Sequence, residues 1–147
     1  MGAKYFPEIG YDGLYKCTAI AQDEIGTAMV DVDDTGTPRP YNLRAEVRKT
    51  DKKIRNLSGD NSLVPASEFL ENPAQCVDRF TPARWEQYKK DVIFFSTSCY
   101  LDKYWTDMQH DHGYNPPPVW TVAGYWLGNY RDASVGYLQA LALIDVA

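Results

Sequence analysis

The stretch TPARWEQYKKDVIFFSTSC, Thr81 to Cys99, decides how the second half of the chain is read. A threonine hydroxyl stands just before Pro82, which suits the first helical position because its missing N–H would be unpaired there anyway. Trp85, Tyr88, Val92, Phe95 and Cys99 then recur at intervals of three and four, so one side of a helix is apolar. Ser96-Thr97-Ser98 offers fresh cap residues, and the segment is therefore divided into a helix over about 82–95 and another over about 99–110. The second carries Leu101, Tyr104, Trp105 and Met108 on its apolar side. Downstream, Gly113 suits a helix stop and Asn115-Pro116 a new start, which predicts a third helix over about 118–127 and a fourth from Ala133 onward.

Upstream of Thr81 the text changes character. Residues 50–75 are polar and rich in Gly, Pro, Asn and Ser, which predicts a long ordered surface loop with a short helical turn near Ser67-Glu68-Phe69-Leu70. Before it, residues 13–21 and 27–32 are short β-prone runs separated by Gln22-Asp23-Glu24-Ile25-Gly26, and an antiparallel hairpin is the simplest arrangement. Residues 34–40 read as a turn, and Leu43 to Val47 as a third strand. The fold class expected is α+β, one domain over 1–147. A short antiparallel sheet from the N-terminal third packs against three or four C-terminal helices.

Composition bounds the function. The 147 residues are 44% apolar and 24% charged, with 11 Tyr, 4 Trp and 5 Phe, enough aromatic surface to fill a core. A net charge of −5 argues against a phosphate-backbone partner. The one basic cluster, Arg44 to Arg55, is interrupted by Glu46 and Asp51 and reads as a solvated surface segment. Cys17, Cys76 and Cys99 form no CxxC, so one disulfide with a free thiol and three reduced thiols both remain open. No apolar signal core follows Met1, and no stretch is long enough to span a bilayer. The apolar run from Val135 to Ala147 has no helix-stop signal, which predicts a chain excised from a longer one.

Three patterns invite chemistry. His110-Asp111-His112, with Asp107, could supply two imidazoles and two carboxylates to a metal. On a helix, however, residues two apart diverge by about 200°, and histidines at a C-terminal turn are favoured because His⁺ meets the partial negative charge of the last carbonyls. Asp31, Asp33 and Thr35 approximate the opening of a calcium loop with Gly36 at the sixth place, but Asn42 stands where a bidentate Glu is required. The same residues resemble the DxDxT motif of the haloacid-dehalogenase phosphatases over about eight residues, without a downstream acidic pair to hold Mg²⁺. A polar turn between strands is the preferred account. Cys99 lies on an apolar stripe with no base beside it in sequence, and neither GxSxG, GxGxxG nor GxxxxGK occurs. No cofactor is implied. The ring-rich segment holding Tyr114, Trp120, Tyr125, Trp126 and Tyr130 is the partner surface to test first, although packing in the core is the commoner fate of such rings.

Residues 72–86, residues 108–120 and the closing Ala140-Leu141-Ala142-Leu143-Ile144-Asp145 together resemble an uncharacterised family of bacterial polytopic membrane proteins. In that family a soluble segment of about this size lies outside the cytoplasm between membrane spans. The resemblance implies an extracytoplasmic, periplasmic location and a Cys17–Cys76 disulfide, leaving Cys99 free. The resulting expectation is a non-catalytic extracytoplasmic recognition or structural domain whose partner is a protein or its own parent's membrane spans. Two alternatives stand beside it: a small metal-dependent hydrolase using Asp107, His110, Asp111 and His112, and a soluble cytosolic binding module with reduced cysteines.

Overall fold

The computed structural model describes residues 1–145 and has an α+β architecture. Its centre is a helix that the sequence reading made a strand. After a short α1 (Phe6–Ile9), α2 (Leu14–Ile25) is buried at every position from Tyr15 to Gln22. A helix covered on all sides shows no polar face, so its sequence lacks the amphipathic signature, and a short apolar run cannot be told from a buried strand by period alone. Gly26, read as a hairpin turn, instead ends α2 with φ 72° and donates its N–H to the Gln22 carbonyl.

The hairpin expected in this region exists with a different partner. β1 (Thr27–Val30) pairs antiparallel with β2 (Arg39–Asn42), in register from Thr27↔Asn42 to Val30↔Arg39. Leu43 to Val47, expected as a strand, is a helix, α3 (Leu43–Val47), because the Asn42 side chain accepts the Ala45 N–H at 2.9 Å and caps it. In place of an irregular loop, β3 (Lys53–Arg55) and β4 (Leu63–Pro65) form a second antiparallel pair. The sheet is thus two separate two-stranded sheets. The helical turn expected at Ser67–Leu70 is α4 (Ser67–Leu70), followed by α5 (Ala74–Val77). The basic cluster is not wholly solvated either, since Glu46 and Lys52 are buried beside one another.

Thr81 caps α6 (Pro82–Ser98) as expected, accepting the Arg84 N–H. The helix does not break at Ser96-Thr97-Ser98. The Ser96 and Thr97 hydroxyls donate back to the Ile93 carbonyl, which satisfies them inside the helix instead of as caps. The break falls at Tyr100, with φ 51°, and opens a π-helical turn (Tyr100–Trp105) that runs into one turn of α-helix, α7 (Thr106–Met108). Its position is tertiary in origin: the Leu101 and Asp102 N–H groups donate to the Asp31 and Val32 carbonyls just past β1, each at 3.0 Å. Two longer helices close the described chain, α8 (Pro118–Tyr130) and α9 (Val135–Asp145).

The core gathers where α2 meets α6. Tyr5, Phe80, Trp85 and Tyr88 form an aromatic stack with centroid separations of 4.8–6.2 Å, and Ile20, Val92 and Leu101 fill the remaining space. A smaller cluster of Tyr15, Ala19, Val47, Ile54 and Ala66 lies on the other side of α2. Cys17 in α2 and Cys76 in α5 are joined by a disulfide, with Cα atoms 5.4 Å apart and neither residue exposed.

Candidate functional site

Helix α8 inverts the usual distribution of side chains. Around its axis, Thr121, Gly124 and Gly128 face the body of the protein, while Val119, Trp120, Val122, Trp126, Leu127 and Tyr130 face outward. Trp120, Trp126 and Tyr130 are 65%, 71% and 79% exposed, and Thr121 is the only buried residue of the helix. A water-facing helix normally turns its large apolar groups inward. Here the inward side is small because the N-terminal segment runs close beneath it: a Cβ on Gly124 would lie 2.7 Å from that of Ala3, and one on Gly128 3.0 Å from that of Lys4. Gly124-Tyr125-Trp126-Leu127-Gly128 is a GxxxG spacing, the sequence signal for close approach at this site.

Polar contacts pin the helix in that orientation. Asn129 donates from Nδ2 to the Lys4 carbonyl at 3.1 Å and accepts from Arg84 at 2.7 Å, while Arg84 also pairs with Glu8 at 2.8 Å. The Tyr114 hydroxyl donates to Thr121, and the Tyr137 hydroxyl of α9 donates to the Leu127 carbonyl at 2.7 Å. Beneath α8 and α9 lies a crevice of about 110 Å³ whose floor holds Lys4 and Asp91. These two form an ion pair at 2.8 Å with side chains only 6% exposed, and the Tyr5 hydroxyl donates to the same carboxylate oxygen at 2.8 Å. Burial and the Asp91 charge together push the Tyr5 phenol far above its ordinary range, which keeps its proton on that bond. Neither this pair nor Arg84 carries a sequence signal, because their partners lie far away along the chain.

Helix α9 also exposes apolar residues, with Val135 and Leu143 59% and 73% exposed. From Gly113 to Ile144 the sequence holds two charged residues, Arg131 and Asp132, both in the connection between the helices. Of the five rings expected at a partner surface, Trp120, Trp126 and Tyr130 are outward, whereas Tyr114 and Tyr125 are half-buried. Core packing, the commoner fate of such rings, does not hold for those three.

The His110-Asp111-His112 segment, expected in the last turn of a helix, lies just past α7, which ends at Met108, and it is an arginine that meets the carbonyls there. Arg55 donates to the carbonyls of His110, Asp111 and Asn61, so its guanidinium meets the carbonyls beyond α7. The His110 ring bonds through Nε2 to the Lys53 carbonyl at 2.9 Å, and the Asp111 carboxylate accepts from the Tyr15 hydroxyl and the Gly113 N–H. Burial and the Asp111 charge push the Tyr15 phenol upward. The His112 carbonyl accepts from Asn115, and the Asp107 carbonyl accepts the His110 N–H. Among the described residues, no three His, Cys, Asp or Glu side chains are grouped to hold a metal ion.

The Asp31 loop is likewise organised by internal contacts. Asp31 is buried and accepts the N–H groups of Thr35 and Gly36, the latter at 2.7 Å. Asp33 pairs with Arg39 and Asp34 with Lys103, both at 2.8 Å. The Thr35 hydroxyl oxygen accepts the Thr37 N–H. These contacts describe a polar connection between β1 and β2. Cys99 is free and partly buried, and that burial raises its thiol pKa, the opposite of what a nucleophile requires.

Comparison with known protein families, curated proteins and solved structures finds no significant match.

Proposed function

We propose that the chain is a non-catalytic, extracytoplasmic recognition or structural domain of a bacterial membrane protein, and that it docks through the outward face of α8 and α9. The observation that carries this reading is the inverted α8, which packs on its own protein through glycines and presents two tryptophans and a tyrosine to the outside. An apolar face left open in water is costly, at about 25 cal/mol per Å², and contiguous faces of this kind mark interaction sites. The buried Cys17–Cys76 bridge supports the location, because such bonds persist in oxidising compartments.

The location is tested in bacterial cells that express the parent protein. Acid quenching followed by alkylation should label Cys99 and leave Cys17 and Cys76 unlabelled until reductant is added. Labelling of all three cysteines before reduction would place the domain in a reducing compartment and refute the reading.

A further inference from the structure

Resting on the docking face proposed above, we infer that the occupant of that face is the boundary between lipid headgroups and hydrocarbon, with α8 lying in the plane of the membrane. Three observations favour lipid over a protein partner. Along α8 the face carries no charge: no residue from Gly113 to Tyr130 is ionisable apart from the tyrosines, and the exposed pair of opposite charges, Arg131 and Asp132, stands only at its C-terminal edge, so α8 itself offers no charged pattern of the kind that fixes register against a protein. An uncharged medium needs none.

The distribution of size is the second. Where hydrocarbon replaces water, large apolar groups gain nothing by turning inward, and small residues are selected at packing contacts so that backbones approach closely. Gly124 and Gly128 inward with Trp120, Trp126 and Leu127 outward follow that rule.

The third is the kind of ring exposed. Trp and Tyr combine an apolar body with one polar group and concentrate at membrane–water boundaries. Trp120, Trp126 and Tyr130 are the most exposed rings of α8, and they are spread along its length. Length decides between lying in and crossing. The 13 residues of α8 extend about 20 Å, short of the roughly 30 Å hydrocarbon core, and no helix among the described residues is long and apolar enough to cross a membrane. With a chain of net charge −5 and no basic cluster on the face, the attraction is apolar and zwitterionic lipid suffices.

The experiment uses the oxidised 147-residue protein and phosphatidylcholine vesicles, some carrying bromine on the acyl chains. Brominated lipid should quench Trp120 and Trp126 while leaving the emission of the buried Trp85 and Trp105 in place. Partitioning should be insensitive to salt. Trp126→Asp and, separately, Tyr130→Asp should each weaken partitioning by about tenfold or more with little change in the thermal midpoint, because the two side chains are 71% and 79% exposed, although Trp126 also meets the Tyr125 ring edge-on. Absence of quenching together with self-association that Trp126→Asp abolishes would overturn the lipid assignment and leave the docking face intact, with a second copy as its occupant. Absence of both would overturn the lipid assignment as well. If an aqueous quencher fails to reach Trp120 and Trp126 in the free protein, the face is covered and the docking reading falls with it.

Discussion

Replacing both Cys17 and Cys76 with alanine tests a large contribution that the fold places on two residues. The two lie 59 residues apart, and β1, β2, α3, β3, β4 and α4 all fall inside the closed loop. Opening a loop of that length returns conformational freedom to the unfolded chain worth about 4 kcal/mol at 25 °C. For a chain of this size each kcal/mol moves the thermal midpoint by about 2–4 °C, so the midpoint should fall by about 8–16 °C. Both cysteines are fully buried, and alanine is small enough to be accommodated without a stranded polar group. The assay is thermal unfolding followed by circular dichroism and calorimetry, with wild type measured oxidised and reduced. Reduced wild type should behave like the double variant. Cys99→Ala, which leaves the bridge intact, serves as the control. A loss under about 1 kcal/mol, or an equal loss in Cys99→Ala, would refute the entropic argument.

Asp91→Ala should destabilise by about 3–5 kcal/mol, because it leaves the Lys4 ammonium buried without a counter-charge and the Tyr5 hydroxyl without an acceptor. Adding Lys4→Met should recover most of that loss in a double-mutant cycle by urea denaturation, and independent effects would disprove the coupling. Gly124→Val sets new atoms against Ala3 and should lift α8 from the N-terminal segment, seen as faster amide exchange across Pro118–Tyr130 than across α6. Unchanged protection of α8 would show that the glycine contact does not hold it. Stability should also fall below about pH 4. Burial opposes ionisation of Glu46 and Asp12, but hydrogen bonds from Lys49 and Tyr41 to the first, and from Lys16 and Ser58 to the second, outweigh it and hold both carboxyls below their ordinary values. Their contribution is present above the unfolded values near 4 and is lost as pH falls through the folded ones. Glu46→Gln should therefore flatten the acid limb of a stability–pH profile, and an unaltered slope would rule out its part in it.

Sequence by itself determined what rests on neighbours along the chain. Thr81 and Pro82 start α6 because a hydroxyl and a missing N–H act within one turn, and Ser67–Leu70 forms α4 in its expected place. The ring-rich stretch from Tyr114 to Tyr130 was visible as a surface worth testing, and GxxxG spacing at Gly124 and Gly128 was there to be read beside it. Tertiary structure alone decided whether Leu14 to Ile25 would be strand or helix, since burial on every side removes the polar stripe that announces a helix. It also decided that Arg55, brought from 55 residues away, and not the adjacent histidines, would meet the carbonyl of His110. The direction in which Trp120 and Trp126 point was fixed in the same way. Their helix is apolar nearly all round, so periodicity gave no inward side, and the close approach of Ala3 and Lys4 to two glycines chose it.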